Sequence, residues 1–420
     1  MELTGNPDEP ELAYLPWKVP LEEWPDDQVV ALPRGISRHI VRFVRLNKVV
    51  YAIKEVERPL AEREYQLLLD LNKRGVPSVE PVGVVSGRVT ADGCDLPAAL
   101  ITKHLEFSLP YRALFSSSLR LETAERLLDA LAVLLVQLHL SGFSWNDCSL
   151  SNTLFRRDAG AFAAYLVDAE TGELHRQLSD GQRQYDLETA STNIAGELMD
   201  LQAGARLQDG IDPIATGVSI RMRYDQLWAE ITTPIEFSRG DRYPMDARIR
   251  RLNELGFDVA EMHVEADEDG DLVVVEPKVV DAGHHSRRLL RLTALDVEEN
   301  QARRLLNDLD AYRVRLGLGP GDEEIGAHRW VTERFERVTE AVPVDLRGKL
   351  TPAEIFHEVL EHRWFMSETV GSSVDFGIAI EDYVETILRG KPDEQSVLGA
   401  RLGTPSDATA ELRITLPPVQ

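Results

Sequence analysis

Residues Gly142–Glu173 read GFSWNDCSLSNTLFRRDAGAFAAYLVDAETGE. An aspartate at Asp147 is followed by Asn152, and the apolar run Ala163–Val167 then delivers a second aspartate, Asp168. Phosphoryl transfer needs little covalent help from a protein. It needs a carboxylate to orient the attacking hydroxyl and oxygen ligands that hold Mg²⁺ against the phosphates. Asp147, Asn152 and Asp168 supply those parts in that order, and a tight loop from 147 to 152 lets the first two side chains face one cleft.

Working outward toward the N-terminus, Gly142 closes the strongest helical pattern in the chain, residues 122–140, ETAERLLDALAVLLVQLHL. That segment is apolar nearly all round and reads as a core helix. Gln28–Leu32, Ile40–Leu46 and Val49–Val56 are rich in Val and Ile, with Asn47-Lys48 as a turn, and predict a β-meander. Its last strand carries Lys54 within YAIKEV, whose ammonium projects from one face; an ordinary solvent-facing strand lysine is the plain alternative. Residues 60–73 repeat apolar positions at helical spacing and stop before Gly75. Glu64 on that helix can pair with Lys54 and fix its direction, and Glu62 competes for the role. Two further strands are expected over Val79–Val85 and Leu96–Thr102, with 103–109 connecting a strand-rich lobe to a helix-rich one.

Composition narrows the class. The chain has 420 residues, is 43% hydrophobic and carries a net charge of −25. Length and apolar content suit two or three domains with real cores. The acidic balance argues against binding nucleic acid or an anionic membrane, where affinity rests on Lys and Arg. Two cysteines, Cys94 and Cys148, make no disulfide framework. The acidic N-terminus lacks a signal pattern and no apolar run spans a bilayer, so a cytoplasmic protein is expected. Residues 1–26 read as a surface arm.

The segments YAIKEV, AEREYQLLLDLNKRGVPSVEPVG and HLSGFSWNDCSLSNTLF…YLVDAE place Lys54, Glu64, Asp147, Asn152 and Asp168 in one order. With these residues the chain resembles the protein-kinase-like superfamily. It looks closest to the bacterial lipopolysaccharide core-sugar kinases and aminoglycoside phosphotransferases. The resemblance covers roughly the first half of the chain. It implies a bilobal fold with a β-rich N-lobe and an α-rich C-lobe, and ATP with Mg²⁺ as cofactors. It implies Asp147 as catalytic base, Asn152 and Asp168 as metal ligands, and Lys54 with Glu64 as the phosphate-positioning pair. Gly35 in RGISRH is all that remains of a glycine-rich phosphate loop. Trp145 stands where the family usually has His, and Ala169-Glu170 follows Asp168 where Phe and Gly are usual. Ser149 stands where Ser/Thr protein kinases place Lys, which fits a small-molecule kinase better. The expected function is therefore an ATP- and Mg²⁺-dependent phosphotransferase acting on a hydroxyl of a small molecule or sugar. The alternatives are a pseudokinase-like module that binds nucleotide or a protein partner through the C-terminal half, or nucleotidyl transfer.

Residues 184–206 are expected to complete the helical lobe, with Asp186 and Asn193 as buried structural polar groups. Beyond it the resemblance fades. Helices are expected at 222–231, 246–255, 285–315, 322–340, 351–366 and 376–389, with strands at Phe257–Glu265 and Leu272–Val280. The whole is an α+β chain: arm 1–26, kinase-like domain 27–215, mixed α/β and mostly helical C-terminal domain 216–391, flexible tail 392–420. Three tempting patterns are set aside. Glu265–Glu276 nearly fits a calcium loop, but Asp269-Gly270 is a hairpin signal and the next segment is a strand. His357-Glu358…Glu361-His362 misses both zinc-protease spacings and reads as a solvated helix face. His284-His285 lacks further ligands at metal spacing. Cys148 reads as a packing thiol.

Overall fold

The computed structural model describes residues 1–5, 10–25, 29–30, 39–47, 49–115, 121–233, 235–238, 243–266 and 272–395. The fold is the bilobal kinase-like α+β fold, followed by a largely helical C-terminal half. Gly35 and part of the expected strand Gln28–Leu32 lie outside the described residues; of that strand, Val30 bridges to Phe43.

The N-lobe is an antiparallel sheet in the order Glu2–Gly5, Glu80–Ser86, Ala98–Lys103, Val49–Val56, Ile40–Leu46. Side chains on a strand alternate between faces, and both faces are covered here. Tyr51, Ile53, Val85, Ala99 and Ile101 point to one side, where Leu12, Trp17, Leu21 and Trp24 bury them. Val56, Val84, Ala98 and Leu100 point to the other, against the helix Arg58–Lys73. Lys54 shares the parity of Val56 and so faces the helix and the cleft. The expected surface arm is thus corrected: its tryptophans are core. Arg88, with no exposed side-chain surface, fastens it by donating to Trp17 O (3.1 Å), Val19 O (2.8 Å) and Glu55 (2.6 Å).

The C-lobe is built on the helix Leu121–Leu140, with Asp180–Ala203 and Pro213–Thr232 packed about it. Its leucines from Leu127 to Leu138 are buried round the helix, and each contributes about 2 kcal/mol. Its core runs on through Leu252 and Phe257. A second core, from Leu289 to Leu388, belongs to the C-terminal helices. The expected hairpin forms between Phe257–Ala266 and Leu272–Ala282, and Ile235–Ser238 adds a third strand. Its turn, 267–271, lies outside the described residues.

Three further expectations fail. The helix expected over 285–315 is two helices, His284–Thr293 and Glu299–Arg315. Ala294 ends the first in the left-handed region (φ 57°), and at the start of the second Glu298 N donates to the Gln301 side chain (3.4 Å). The His357-Glu358 face is buried, not solvated: Glu358 accepts from Tyr383 Oη (2.6 Å) and Lys391 Nζ (2.7 Å). The tail begins later than Pro392, because Glu394 is buried against Arg157; residues 396–420 lie outside the described residues.

Gly142 turns the chain out of the central helix at φ 83°, and a Cβ there would sit 2.2 Å from the His175 carbonyl oxygen. Gly142→Ala should cost at least about 2 kcal/mol in denaturant unfolding, from strain and backbone displacement together. Gly181→Ala, where a Cβ meets nothing within 4 Å, should change stability by less than about 0.5 kcal/mol. Equal effects would contradict the packing argument.

Candidate functional site

The site begins with Lys54. Its ammonium donates to Glu64 Oε2 (3.0 Å), Asp168 Oδ2 (2.9 Å) and Glu170 Oε2 (2.8 Å). The competition between Glu62 and Glu64 is settled by the helix face: Glu62 points outward to Arg58 (2.7 Å). Glu64 points inward, is 1% exposed and also accepts from Ala169 N (3.3 Å). Burial pushes its carboxyl up to about 8, helped by the charge of Asp168 and opposed by Lys54. Burial works against the Lys54 ammonium, but its three carboxylates outweigh that and raise its pKa. Asp168 is desolvated too, yet Lys54 and the Glu170 N–H hold its carboxyl below the usual range. His39 Nε2 reaches Glu170 from the sheet (2.9 Å).

The hairpin Thr153–Asp158/Ala161–Leu166 explains how Asn152 meets Asp168. Thr153 pairs with Leu166, and Val167 N donates to Asn152 O (3.0 Å), so the two candidate ligands flank one hairpin root. Asn152 Nδ2 donates to Asp147 O (3.0 Å) and Oδ2 (3.3 Å). Trp145 Nε1 donates to the Asp168 carbonyl (2.8 Å), tying the loop to the strand end. The structure therefore brings Lys54, Glu64 and Asp168 into direct contact, and seats Asn152 beside both Asp147 and the strand that ends at Asp168. Gly35 lies outside the described residues.

The loop itself is held from below. Asp186, fully buried, accepts from Trp145 N (2.7 Å), Asn146 N (2.8 Å) and His139 Nε2 (3.1 Å). Glu197 accepts from Leu150 N (2.7 Å) and Ser151 N (3.1 Å). Asn193 Nδ2 donates to Asp147 Oδ1 (3.1 Å) and Cys148 O (3.1 Å). Asp186 has the structural role expected of it, whereas Asn193 is more than structural, since it touches the candidate base. Glu197, Trp145 and His39 were not foreseen as site residues. A signal existed for one of them: Asp186, Asn193 and Glu197 fall on one helical stripe that also carries buried Ala190 and Ile194. Cys148 is fully buried and its thiol is pushed up by that burial, in keeping with packing.

Among the described residues, one group of side chains can hold a metal ion: Glu64, Asp168 and Glu170, with carboxylate oxygens within 4.8 Å of one another. Hard oxygen donors around a single ammonium suit a hard divalent cation such as Mg²⁺. The His284 and His285 rings lie edge to face at 4.9 Å and belong to no such group. No helix among the described residues is long and apolar enough to cross a membrane.

A lysine from a sheet facing acids from a helical lobe defines the class, a kinase-like fold. Residues 38–198 match the model of the lipopolysaccharide kinase (Kdo/WaaP) family. Residues 226–388 match a domain of unknown function, DUF4032. Similar solved structures include WaaP in complex with acyl carrier protein, at 16% identity and TM-score 0.36, covering 61% of this chain and 99% of that one. Another is an aminoglycoside-3'-phosphotransferase of type VIII, at 15% identity and TM-score 0.33, covering 48% of this chain and 86% of that one. No curated protein matches the chain.

The connection between the lobes carries His104, whose Nε2 is buried without a partner beside Phe43. Burial lowers its pKa to about 4. The unfolded chain takes up this proton near pH 6.5 and the folded chain only near 4, so this contribution to stability is lost as pH falls through that window. His104→Phe should remove about 3 kcal/mol of the acid destabilisation between pH 7 and pH 4. Parallel pH–stability curves for the two proteins would contradict it.

Proposed function

We propose that the kinase-like half is an ATP- and Mg²⁺-dependent phosphotransferase acting on a hydroxyl of a small molecule or sugar. The observation that carries the reading is the contact of the Lys54 ammonium with Asp168 at 2.9 Å, bridging the two lobes in the order the family match leads one to expect. In this reading the acceptor hydroxyl oxygen attacks the γ-phosphorus, the bond to the bridging oxygen of ADP breaks, and the hydroxyl proton passes to Asp147. Asn193 and Asn152 hold that carboxylate from both oxygens. Lys54, steered by Glu64, binds α- and β-phosphate oxygens. All three of its N–H donors are occupied, so a phosphate takes the place of a carboxylate. Glu170 is the candidate to leave, since Glu64 is buried and the carbonyl and carboxylate of Asp168 are tied by Trp145 Nε1 and Glu170 N. Asn152 and Asp168, with Glu170 as a further donor, would hold Mg²⁺, which when bound neutralises charge on the phosphates.

A second reading is a kinase-like module that binds nucleotide or a protein partner without phosphotransfer. It draws on the same Glu170, which engages the lysine that a phosphate would need. Nucleotidyl transfer would keep the same nucleotide contacts and move label from the α-phosphate.

Melting with ATP in Mg²⁺ and in EDTA separates these readings. At a nucleotide concentration about a hundred times Kd, binding adds about 2.7 kcal/mol. Asp147→Asn should retain the Mg²⁺-ATP shift while ADP formation, with water or a hydroxyl panel as acceptor, falls at least about 100-fold. Asp168→Asn should lose the Mg²⁺-dependent part of the shift. ADP formation at the wild-type rate in Asp147→Asn would reject the role given to that residue.

A further inference from the structure

The hairpin Thr153–Asp158/Ala161–Leu166 has two ends with different partners. Its root carries Asn152 and Asp168. Its tip is buried in the C-terminal half. We propose that the C-terminal half is a clamp on this tip, and that Arg157, Asp158, Glu354 and Glu394 are positioning residues that hold the hairpin in the register its root requires. What is positioned, a metal–nucleotide site, rests on the phosphotransfer reading above.

The tip is a tight turn, with Ala159 (φ 50°) and Gly160 (φ 83°) both left-handed and Asp158 paired to Ala161. Asp158 is 2% exposed, and among the described residues its carboxylate makes no ion pair. It accepts instead from Asn300 N (3.1 Å), Asn300 Nδ2 (2.9 Å) and Gln301 N (2.7 Å), in the first turn of the helix Glu299–Arg315. The positive end of a helix suits a carboxylate. Ala159 N donates to Glu354 (2.9 Å). Gln301 Nε2 joins the two sides, donating to Arg157 O (3.0 Å) and Glu354 (2.9 Å). Arg157 Nε donates to Glu394 (2.6 Å), from the last described turn of the chain. Farther down the hairpin, Tyr165 Oη and Arg156 both bind Glu298 (2.7 and 3.2 Å).

Two physical facts turn these contacts into a positioning device. First, a hairpin of two strands is marginal alone. Its third strand is only Leu109–Pro110; Phe155, Phe162, Ala164 and Leu166 pack its inner face into the core under the central helix, which adds one polar bond near the tip, Arg126 to Gly160 O (2.5 Å), so most of the polar bonds that fix the tip come from the C-terminal half. Second, a slip of one residue turns every side chain to the opposite face. Such a slip would take Val167 N off Asn152 O and change the distance between Asn152 and Asp168. Buried charges are destabilising unless each is partnered, so they tolerate one register only. The tip lies about 20 Å from the root, at about 3.3 Å per residue, and the ladder between them transmits that register.

The test uses the full chain and compares Asp158→Ala, Asp158→Asn and Glu394→Gln with the wild type. Hydrogen exchange is followed over 152–168, together with the Mg²⁺ concentration giving half of the ATP-dependent melting shift. In Asp158→Ala the amides of 153–168 should exchange about 10-fold faster and the Mg²⁺ midpoint should rise about 10-fold, with ATP binding in EDTA unchanged. Asp158→Asn, which keeps an acceptor for the helix N–H groups, should restore most of both. Should Asp158→Ala not fold, Glu394→Gln, which keeps the shape of the site, is read by the same two criteria. A folded variant with wild-type exchange and a wild-type Mg²⁺ midpoint overturns the proposal and leaves the contacts as simple domain glue. If the wild type shows no Mg²⁺-ATP shift, the phosphotransfer reading fails. Exchange at 153–168 then decides the clamp alone: faster in the variants supports it, unchanged overturns it.

Discussion

One ammonium set among three carboxylates is the interaction on which the arrangement depends. Lys54 comes from the sheet, Glu64 from the helix packed on it, and Asp168 and Glu170 from the end of the C-lobe hairpin. Closing the two lobes on one another is what makes these contacts. At about 3 Å and partial burial each contact is favourable in isolation, but even with Glu64 pushed toward its neutral form, two further carboxylates around one ammonium leave an excess of negative charge. A polyphosphate alone would deepen that excess, in a chain already at −25. A divalent cation arriving with the nucleotide resolves the imbalance, and so the charge arithmetic of the site and the proposed use of Mg²⁺-ATP point the same way.

The grouping of Lys54, Glu64 and Asp168, and of Asn152 with Asp147, was legible because each residue sits at a place where sequence pattern is strong. Lys54 lies in an alternating strand, Glu64 on an amphipathic helix, and Asp147, Asn152 and Asp168 punctuate a loop and a strand end. Glu64 and Glu62 were equivalent on spacing; only the facing of the helix, which buries Glu64 and exposes Glu62, separates them. What could not be read was burial imposed from far away in sequence. Trp17 and Trp24 look like surface residues of a proline-rich arm until the outer face of the sheet is seen to need a cover. His357 and Glu358 look solvated until Tyr383 and Lys391 arrive from the next helix and the chain end. Glu394 sits in a polar, turn-rich stretch that locally resembles a loose tail, and its partner lies 237 positions away.

The loop from Trp145 to Asn152 shows how a segment is made rigid without regular structure. Backbone N–H groups removed from water need acceptors. Four of them, from Trp145, Asn146, Leu150 and Ser151, are taken by two carboxylates of one helix, Asp186 and Glu197. His139 and Tyr224 complete the set under Asp186, joined at 2.7 Å. Between the two carboxylates on the same stripe, Asn193 reaches the other way, to Asp147. The helix Asp180–Ala203 thus fixes both the path of the loop and the direction of its central carboxylate. The substitution of Trp145 at a position where related chains usually have His is absorbed by the same logic, since the indole N–H still finds a backbone oxygen, that of Asp168.

The placement of the second half follows from the same hairpin. Among the described residues, the polar contacts that the stretch from His284 onward makes with the first half gather at the tip and along the outer edge of Thr153–Asp158/Ala161–Leu166, through Glu298, Asn300, Gln301, Glu354 and Glu394. None of these groups reaches the Lys54 cluster. A domain that supplied substrate contacts directly would place side chains in the cleft; one that acts on order would hold a structural element whose far end lies there. The burial of Asp158 against a helix N-terminus, with no ion pair among the described residues, fits the second description, because a carboxylate so placed is held by direction as well as by charge. In the proposed reading, whatever binds or loosens the C-terminal helices has its shortest route to the chemistry along that two-stranded ladder, from Asp158 to Asp168.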